Sequence, residues 1–458
     1  MGSACGPRIY VETRMSETYS NGWGKGLKRR VVLASAWAIS TSIVGQGIRF
    51  VSILILSRLL FPEAFGMMAL VAAVMSGLEM FSDLGIGLSV VRNREPTRRF
   101  LDTIWSLQVV RGWVLWAISV VLAYPVARWY GEPMLFYLIP AAGVTNIVRG
   151  YAHPYRFTLN RELKLRELFH LEVGSQIVGF VVSAIAAYEM RSVWALVIGG
   201  FANAFAWSLL TYWLAPEPRS RWCWDRDVLR DISGFSRWIM LSTVLSFVTN
   251  QGNSLILGSF ANIATLGLYS IANSIVGAML RFDNLLATGV LFPLYVQIGH
   301  ETTPLLKRRI AKIRLARMAA LLPPMWALTC FGDWFVGLLW DPRYHDAGVM
   351  LQILCAGNLV AACDAGPLYL ARGESWIGFM FGGVKTAVLL SAMAVGGHYF
   401  GVIGLVWGIA ICQAIDYPLL VWVQRRYGVW LPWLDALALG SSATFVTLGF
   451  LLRWWLQF

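Results

Sequence analysis

From residue 32 onward the chain is a succession of apolar runs, most of 20 residues or more, separated by short polar turns. A helix rises about 1.5 Å per residue, so roughly 20 apolar residues cross a hydrocarbon core of about 30 Å. The runs fall at 32–56, 64–91, 103–125, 134–155, 170–189, 193–214, 234–259, 265–293, 314–339, 347–371, 376–398, 402–424 and 433–456. They predict an all-α, polytopic membrane protein of about 13 transmembrane helices. The residues before them, 1–31, are polar at first and end in a basic cluster of Lys25, Lys28, Arg29 and Arg30. That tail carries no cleavable signal-peptide pattern, is expected to be disordered, and includes Met15 as an alternative start.

The pattern recurs at a spacing of 201 positions, which lays Gly66 on Gly267, Phe81 on Phe282 and Asp83 on Asn284, while Gln46-Gly47 returns as Gln251-Gly252 at a spacing of 205. The polar turn, the glycine and the polar position return in register, so the chain is read as two related halves. An N-terminal six-helix lobe is expected at 32–231 and a C-terminal one at 232–431, with an additional helix at 432–458 that has no counterpart in the repeat. Transporters built on internal repeats place their substrate where the halves meet.

Composition supports the membrane class. Of 458 residues, 57% are hydrophobic and 14% charged, and the mean hydropathy is +0.60. The net charge of +13 does not point to nucleic acid, because the basic residues are mostly confined to alternate short loops. Clusters such as Arg92/Arg94/Arg98/Arg99, Arg156/Arg161/Lys164/Arg166 and Lys307/Arg308/Arg309/Lys312/Arg314/Arg317 alternate with connections holding one arginine or none. Basic loops stay in the cytoplasm, so the amino terminus is expected inside. Six cysteines without a CxxC pair and five scattered histidines argue against a metal site, and no cofactor is indicated. The outward loops are short, the longest at about 340–346, which leaves no room for an extramembrane catalytic domain; the chain is not read as an enzyme.

The candidate chemistry lies in charges that break the apolar rule. Arg49, Arg111, Arg149, Arg281 and Lys385 fall within spans, as do Glu79, Asp83, Asp283, Asp364 and Asp416. One charge at the bilayer centre costs at least about 2.5–3.5 kcal/mol, so their recurrence implies a hydrated interior. Arg149 is close enough to a helix end to snorkel, Lys385 has that reading beside a ligand role, and Asp416 neighbours Pro418 at a kink. Arg111 is read both as a substrate ligand and as the partner of Glu79 or Asp83. Those two acids, four apart on one helix face, are the candidates for ion coupling. Arg49 and Arg281 are deep, one per half, and lack an acid at i±3 or i±4. A guanidinium is a planar donor fork that matches phosphate oxygens and stays charged, so this pair is the expected anion site, with Asn250 and Gln251 adding hydrogen bonds.

The stretch SRLLFPEAFGMMALV (57–71), then FSDLGIGLSVV (81–91) and FLDTIWSLQVVRGWVLW (100–116), resembles the polysaccharide-transporter family. These are the Wzx-type oligosaccharide flippases, of the superfamily that includes lipid II flippases and multidrug and toxin extruders. The resemblance is best over about 32–300. It implies two lobes in a V around a central cavity, with the first and eighth spans flanking a lateral opening to lipid. It implies a polyprenyl-pyrophosphate-linked oligosaccharide as substrate, moved between leaflets of a bacterial inner membrane by alternating access. A polysaccharide polymerase and export-complex proteins are the partners it suggests. Members usually have 12 or 14 spans, so a thirteenth leaves the side of the carboxyl terminus open. The competing reading is a cation-coupled exporter of drugs or metabolites on the same fold, whose cavity should be rich in acids and aromatics.

Overall fold

A computed structural model describes residues 25–82, 98–162, 164–215, 220–225, 236–291, 295, 304–364, 368–372 and 374–456. Within lipid each backbone N–H and C=O must find a partner inside the protein, and the described spans meet this as helices, with no strand among the described residues. In order they are α1 (Lys25–Leu59), α2 (Pro62–Phe81), α3 (Arg98–Tyr130), α4 (Met134–Gly150), the short α5 (Tyr155–Arg161), α6 (Leu165–Met190) and α7 (Trp194–Leu214). The second half comprises α8 (Ser236–Phe260), α9 (Ile263–Leu286), α10 (Pro304–Leu339), α11 (Asp346–Asn358), the single turn α12 (Leu368–Ala371), α13 (Ser375–Arg426) and α14 (Pro432–Leu456).

α13 is too long for one crossing: 52 residues would extend about 78 Å. It folds back at Gly401, whose φ of 61° a residue with a side chain rarely adopts. The two arms then run antiparallel at backbone contact. A Cβ at Gly396 would lie 2.2 Å from the Gly404 carbonyl oxygen, and Lys385 on one arm meets Asp416 on the other at 2.6 Å. Counting the arms separately gives the thirteen crossings the apolar runs predict. In the first half α6 packs on α1 and α7, and α3 and α2 on α4. In the second, α10 packs on α11, α11 on α13 and α8 on α13, and α2 with α9 forms the main seam between the two lobes.

That seam follows from the repeat. The related glycines Gly66 and Gly267 face one another's chains: a Cβ on Gly66 would sit 1.9 Å from the Ile263 carbonyl oxygen, and one on Gly267 the same distance from that of Pro62. The contact is reciprocal, as a two-fold relation between the halves requires. Small residues let transmembrane backbones approach this closely. The local sequence supports it on both sides. Pro62 opens α2 at its first turn, where the missing N–H costs nothing, and the Asn262 side chain caps α9 by accepting from the Thr265 N–H at 2.7 Å. Around the glycines the lobes are joined by Tyr344 Oη donating to the Leu60 carbonyl (2.8 Å) and Tyr130 Oη to that of Leu255 (3.1 Å). These contacts gather at the end of the molecule that bears the short connections 60–61, 261–262 and 340–345; we call it the turn end.

The opposite end of the second lobe is held by buried charge. Arg314 and Arg317, which the charge pattern assigns to a cytoplasmic loop, lie about three turns inside α10. Arg314, fully buried, donates to Gln424 Oε1 (2.9 Å), the Cys363 carbonyl (2.8 Å) and Asp435 Oδ1 (2.6 Å). Arg317 forks onto both oxygens of Asp283 (2.8 and 2.6 Å) and donates to the Asp364 carbonyl (2.9 Å). The extra helix α14 is therefore built into this lobe. Asp435 anchors its start, the Phe445 ring stacks on Trp326 at 4.4 Å, and Arg453 pairs with Asp333 near its end.

Two outcomes follow from the packing. Gly66→Ala and Gly267→Ala should each cost the closed turn end about 1–3 kcal/mol of overpacking. The readout is faster labelling, by an impermeant maleimide added from the turn end, of a cysteine introduced at Asn273. Asp435→Ala strands the Arg314 charge at about 3–5 kcal/mol. Its thermal unfolding in detergent should fall well below that of the wild type, and Arg314→Met combined with Asp435→Leu should recover most of the loss.

Candidate functional site

Between the lobes lies a cavity of about 1280 Å³, lined by α1, α4, α5, α6 and α7 on one side and by α9 and α10 on the other. Its charged lining among the described residues is four arginines, Arg49, Arg149, Arg156 and Arg281, and one acid, Glu172. The closed seam at the turn end caps it near Leu56, Phe335 and Trp340. The cavity runs from there toward Arg149, Arg156 and Trp207.

Arg281 and Arg49 meet in this cavity. Arg281 Nη2 reaches across from α9 to the Gln46 side-chain oxygen on α1 at 2.9 Å, and Arg49 stands one helical turn beyond Gln46. The two guanidinium groups are within electrostatic reach of one another. Neither forms an ion pair with a described residue, and Arg49 and Arg149 have no side-chain hydrogen bond to one. Like charges held together without a carboxylate between them repel, and a multivalent anion relieves that repulsion. The walls add neutral polar groups. Ser175 and Gln176 on α6, Asn203 on α7 and Asn273 and Ser274 on α9 face the void, and Gln176 Oε1 is buried with no partner among the described residues.

The remaining sequence candidates are distributed elsewhere. Arg111 lies outside the central cavity: its Nε donates to Ser82 Oγ (2.9 Å) and Nη2 to the Glu79 carbonyl (3.0 Å), so it caps the last turn of α2. A cation there complements the carbonyl end of the helix dipole. Glu79 shares with Arg111, Arg149 and Arg156 a smaller pocket of about 180 Å³. Asp83 lies outside the described residues. Asn250 donates to the Ser246 carbonyl of its own helix at 2.8 Å, and neither it nor Gln251 lines the central cavity. Arg149, in the last turn of α4 and exposed, lines the cavity. Lys385 is bonded to Asp416 and to Gln413 (2.8 Å) beside a second cavity of about 600 Å³ inside the C-terminal lobe, so Asp416 holds a cation rather than mending the chain near Pro418.

A family model described as polysaccharide biosynthesis protein matches residues 55–348, more than half of the chain. The chain belongs to that family. Its relatives place it among the Wzx-type polysaccharide transporters. It is 22% identical over 443 residues to the lipopolysaccharide biosynthesis protein WzxC of Escherichia coli (strain K12), covering 93% of this chain and 89% of that one. The fold is similar to that of a lipid II flippase, MurJ, solved in an inward closed conformation, with a TM-score of 0.70 and 92% of each chain covered at 11% identity. It is also similar to an inward-facing multidrug resistance transporter of the MATE family, with a TM-score of 0.61 over 85% of this chain and 94% of that one at 15% identity. The family member is thus a multi-pass membrane protein of the polysaccharide biosynthesis family.

Several lining residues escaped the sequence reading. Arg156 was counted as a loop charge, yet α5 turns it onto Trp207, 4.9 Å above the ring. Glu172 was passed over because it sits near the start of its span. A polar stripe of Glu172, Ser175, Gln176, Gly179 and Ser183, at helical spacing along α6, was the signal that could have found it. The different settings of Arg111 and Arg149 predict different consequences. Arg111→Gln should lower the thermal midpoint in detergent, by the equivalent of about 1–3 kcal/mol for its lost charged hydrogen bonds. Arg149→Gln should leave it nearly unchanged.

Proposed function

We propose that this flippase moves a polyprenyl-pyrophosphate-linked oligosaccharide from the cytoplasmic to the outer leaflet of a bacterial inner membrane by alternating access, without covalent chemistry. The observation that carries the reading is Arg281 drawn across the cavity to Gln46, one turn from Arg49, two forks from opposite lobes without an ion pair to a described residue. A diphosphate offers both of them oxygens at once. The acceptor and donor groups of α6, α7 and α9 suit sugar hydroxyls, while a prenyl chain is soluble only in the bilayer and would stay there, entering beside α1 and α9.

The arginine-rich connections mark the cytoplasmic side and put the amino terminus there. On that orientation the sealed turn end faces outward and the cavity is ready to load from the cytoplasm. Rocking of the lobes about the α2–α9 seam would open it on the other side. An inside-negative potential favours outward movement of an anion by about 2.3 kcal/mol per charge per 100 mV. A cation-coupled drug exporter is disfavoured by the same lining, in which arginines outnumber acids four to one. Glu79 and Asp83 are retained as candidates for ion coupling, and Asn250 and Gln251 as substrate contacts reached in another state of the cycle. A polymerase and export-complex partners would act on the product.

The test is transfer of a lipid-linked oligosaccharide across reconstituted vesicles. Arg49→Ala and Arg281→Ala should each reduce it to background while the purified proteins keep the wild-type elution profile and melting temperature. Arg281→Lys, which keeps the charge and loses the fork, should retain a fraction of the rate. Unimpaired transfer by both alanine variants would remove the arginine pair from the site.

A further inference from the structure

Glu172 is the sole carboxylate among the described residues lining the cavity, and nothing in the anion reading uses it. It projects from α6 into the space that Arg49 enters from α1, within electrostatic reach of that guanidinium, yet the two are not joined by an ion pair. Its backbone carbonyl accepts from Ser175, and its side chain has no hydrogen bond to a described residue. The other charged residues lining the cavity are Arg149 from α4, Arg156 from α5 and Arg281 from α9. α7 brings neutral Asn203 and Trp207, and α10 contributes apolar side chains to the lining. On its own helix His170 packs against Trp37 at 6.5 Å between ring centroids. With four guanidinium groups and one carboxylate, the empty cavity stands at a formal charge of +3.

We propose that Glu172 is the proton-linked counter-ion of this cavity: ionised when the cavity is empty, and protonated when a diphosphate occupies Arg49 and Arg281. The inference rests on the diphosphate reading above. The physical step is a competition for one cation. Without substrate the carboxylate of Glu172 partly offsets the charge on Arg49. An arriving diphosphate takes that guanidinium and brings two or more negative charges beside the carboxylate. A like charge held nearby disfavours the ionised form, so a proton moves from solvent onto a Glu172 carboxylate oxygen. The balance is one proton taken up, with no bond to the substrate formed or broken. Linkage makes the effect reciprocal: if the diphosphate favours the proton, the proton favours the diphosphate by the same factor. The sign follows. Diphosphate binding is tightest where Glu172 can accept a proton, and it weakens as pH rises through the range in which the occupied cavity gives that proton up.

The experiment measures binding of geranylgeranyl diphosphate to the full chain in detergent. Calorimetry between pH 6 and 8, in buffers of different ionisation enthalpy, gives the protons exchanged. The wild type should take up more protons per ligand than Glu172→Gln, the difference approaching one, which cancels the ligand's own titration. Wild-type affinity should fall by up to about tenfold per pH unit relative to the variant, whose profile is flatter. Glu172→Ala gives the same comparison should the glutamine variant not be recovered. Equal proton uptake with parallel pH profiles would overturn the assignment of Glu172 while leaving the diphosphate site standing. Absence of binding by the wild type, or binding indifferent to Arg49→Ala, would overturn both.

Discussion

A charge inside a bilayer needs a partner, and the two ways this chain supplies one divide the molecule by role. In the C-terminal lobe the deep cations are answered by acids: Arg314 by Asp435, Arg317 by Asp283, Lys385 by Asp416 and Arg453 by Asp333. Removing either member of such a pair is costly because its partner is left stranded out of water. That ties this lobe, with α14 along α10, into one packed body. The central cavity is arranged oppositely. Arg49, Arg149 and Arg281 form no ion pair with a described residue and share a single lining carboxylate, Glu172, at a place large enough for water, where the missing counter-charge can be carried in by a ligand. The single helix α9 belongs to both regimes, since Arg281 faces the cavity and Asp283, two residues on, clamps Arg317.

On the proposed alternating access, the repeat accounts for how two such bodies stay joined and still rock. Gly66 and Gly267 put backbone against backbone, with the Ile263 side chain also against Gly66. A seam of that kind permits rotation more readily than a meshed one, whereas the hydroxyl donors Tyr344 and Tyr130 beside it each hold by a single bond that can be exchanged. The closed turn end is thus built from contacts that are close but few in kind, and the cavity behind it owes its seal to them.

Much of the architecture was legible in the residue order because the bilayer enforces it: apolar runs, alternate basic loops and a 201-residue echo are consequences of lipid, topology and duplication. Even the seam was visible as a pair of glycines in register. The site was only half legible. Arg49 and Arg281 stood out because nothing nearby on their own helices could neutralise them. The rest depended on tertiary placement that spacing does not carry. Arg111 has the same intramembrane look as Arg49, yet the end of α2 arrives in front of it and turns it into a cap. Arg314 and Arg317 belong to a basic run that reads as a loop, and only the approach of α14 and α9 shows them to be core. Glu172 and Arg156 lie near span ends, where charge is ordinarily unremarked, and it is the convergence of five first-lobe helices that turns them inward.

On the proposed function, the balance of charge also decides where in the cycle the membrane field acts. An empty cavity of net +3 and one holding a two-charge diphosphate with Glu172 protonated, at a formal +2, differ by one charge. At about 2.3 kcal/mol per charge per 100 mV, that difference is about 2 kcal/mol at 100 mV if the whole field falls across the moving groups. Both forms are cationic, so an inside-negative potential draws each toward the cytoplasmic side, the empty cavity the more strongly. Over a full cycle the field then assists the return more than it opposes the transfer, which is the same outward drive on the anion. A neutral or acidic cavity on the same helices would lose that bias, which is a physical reason for arginine to dominate the lining even at positions that touch no phosphate.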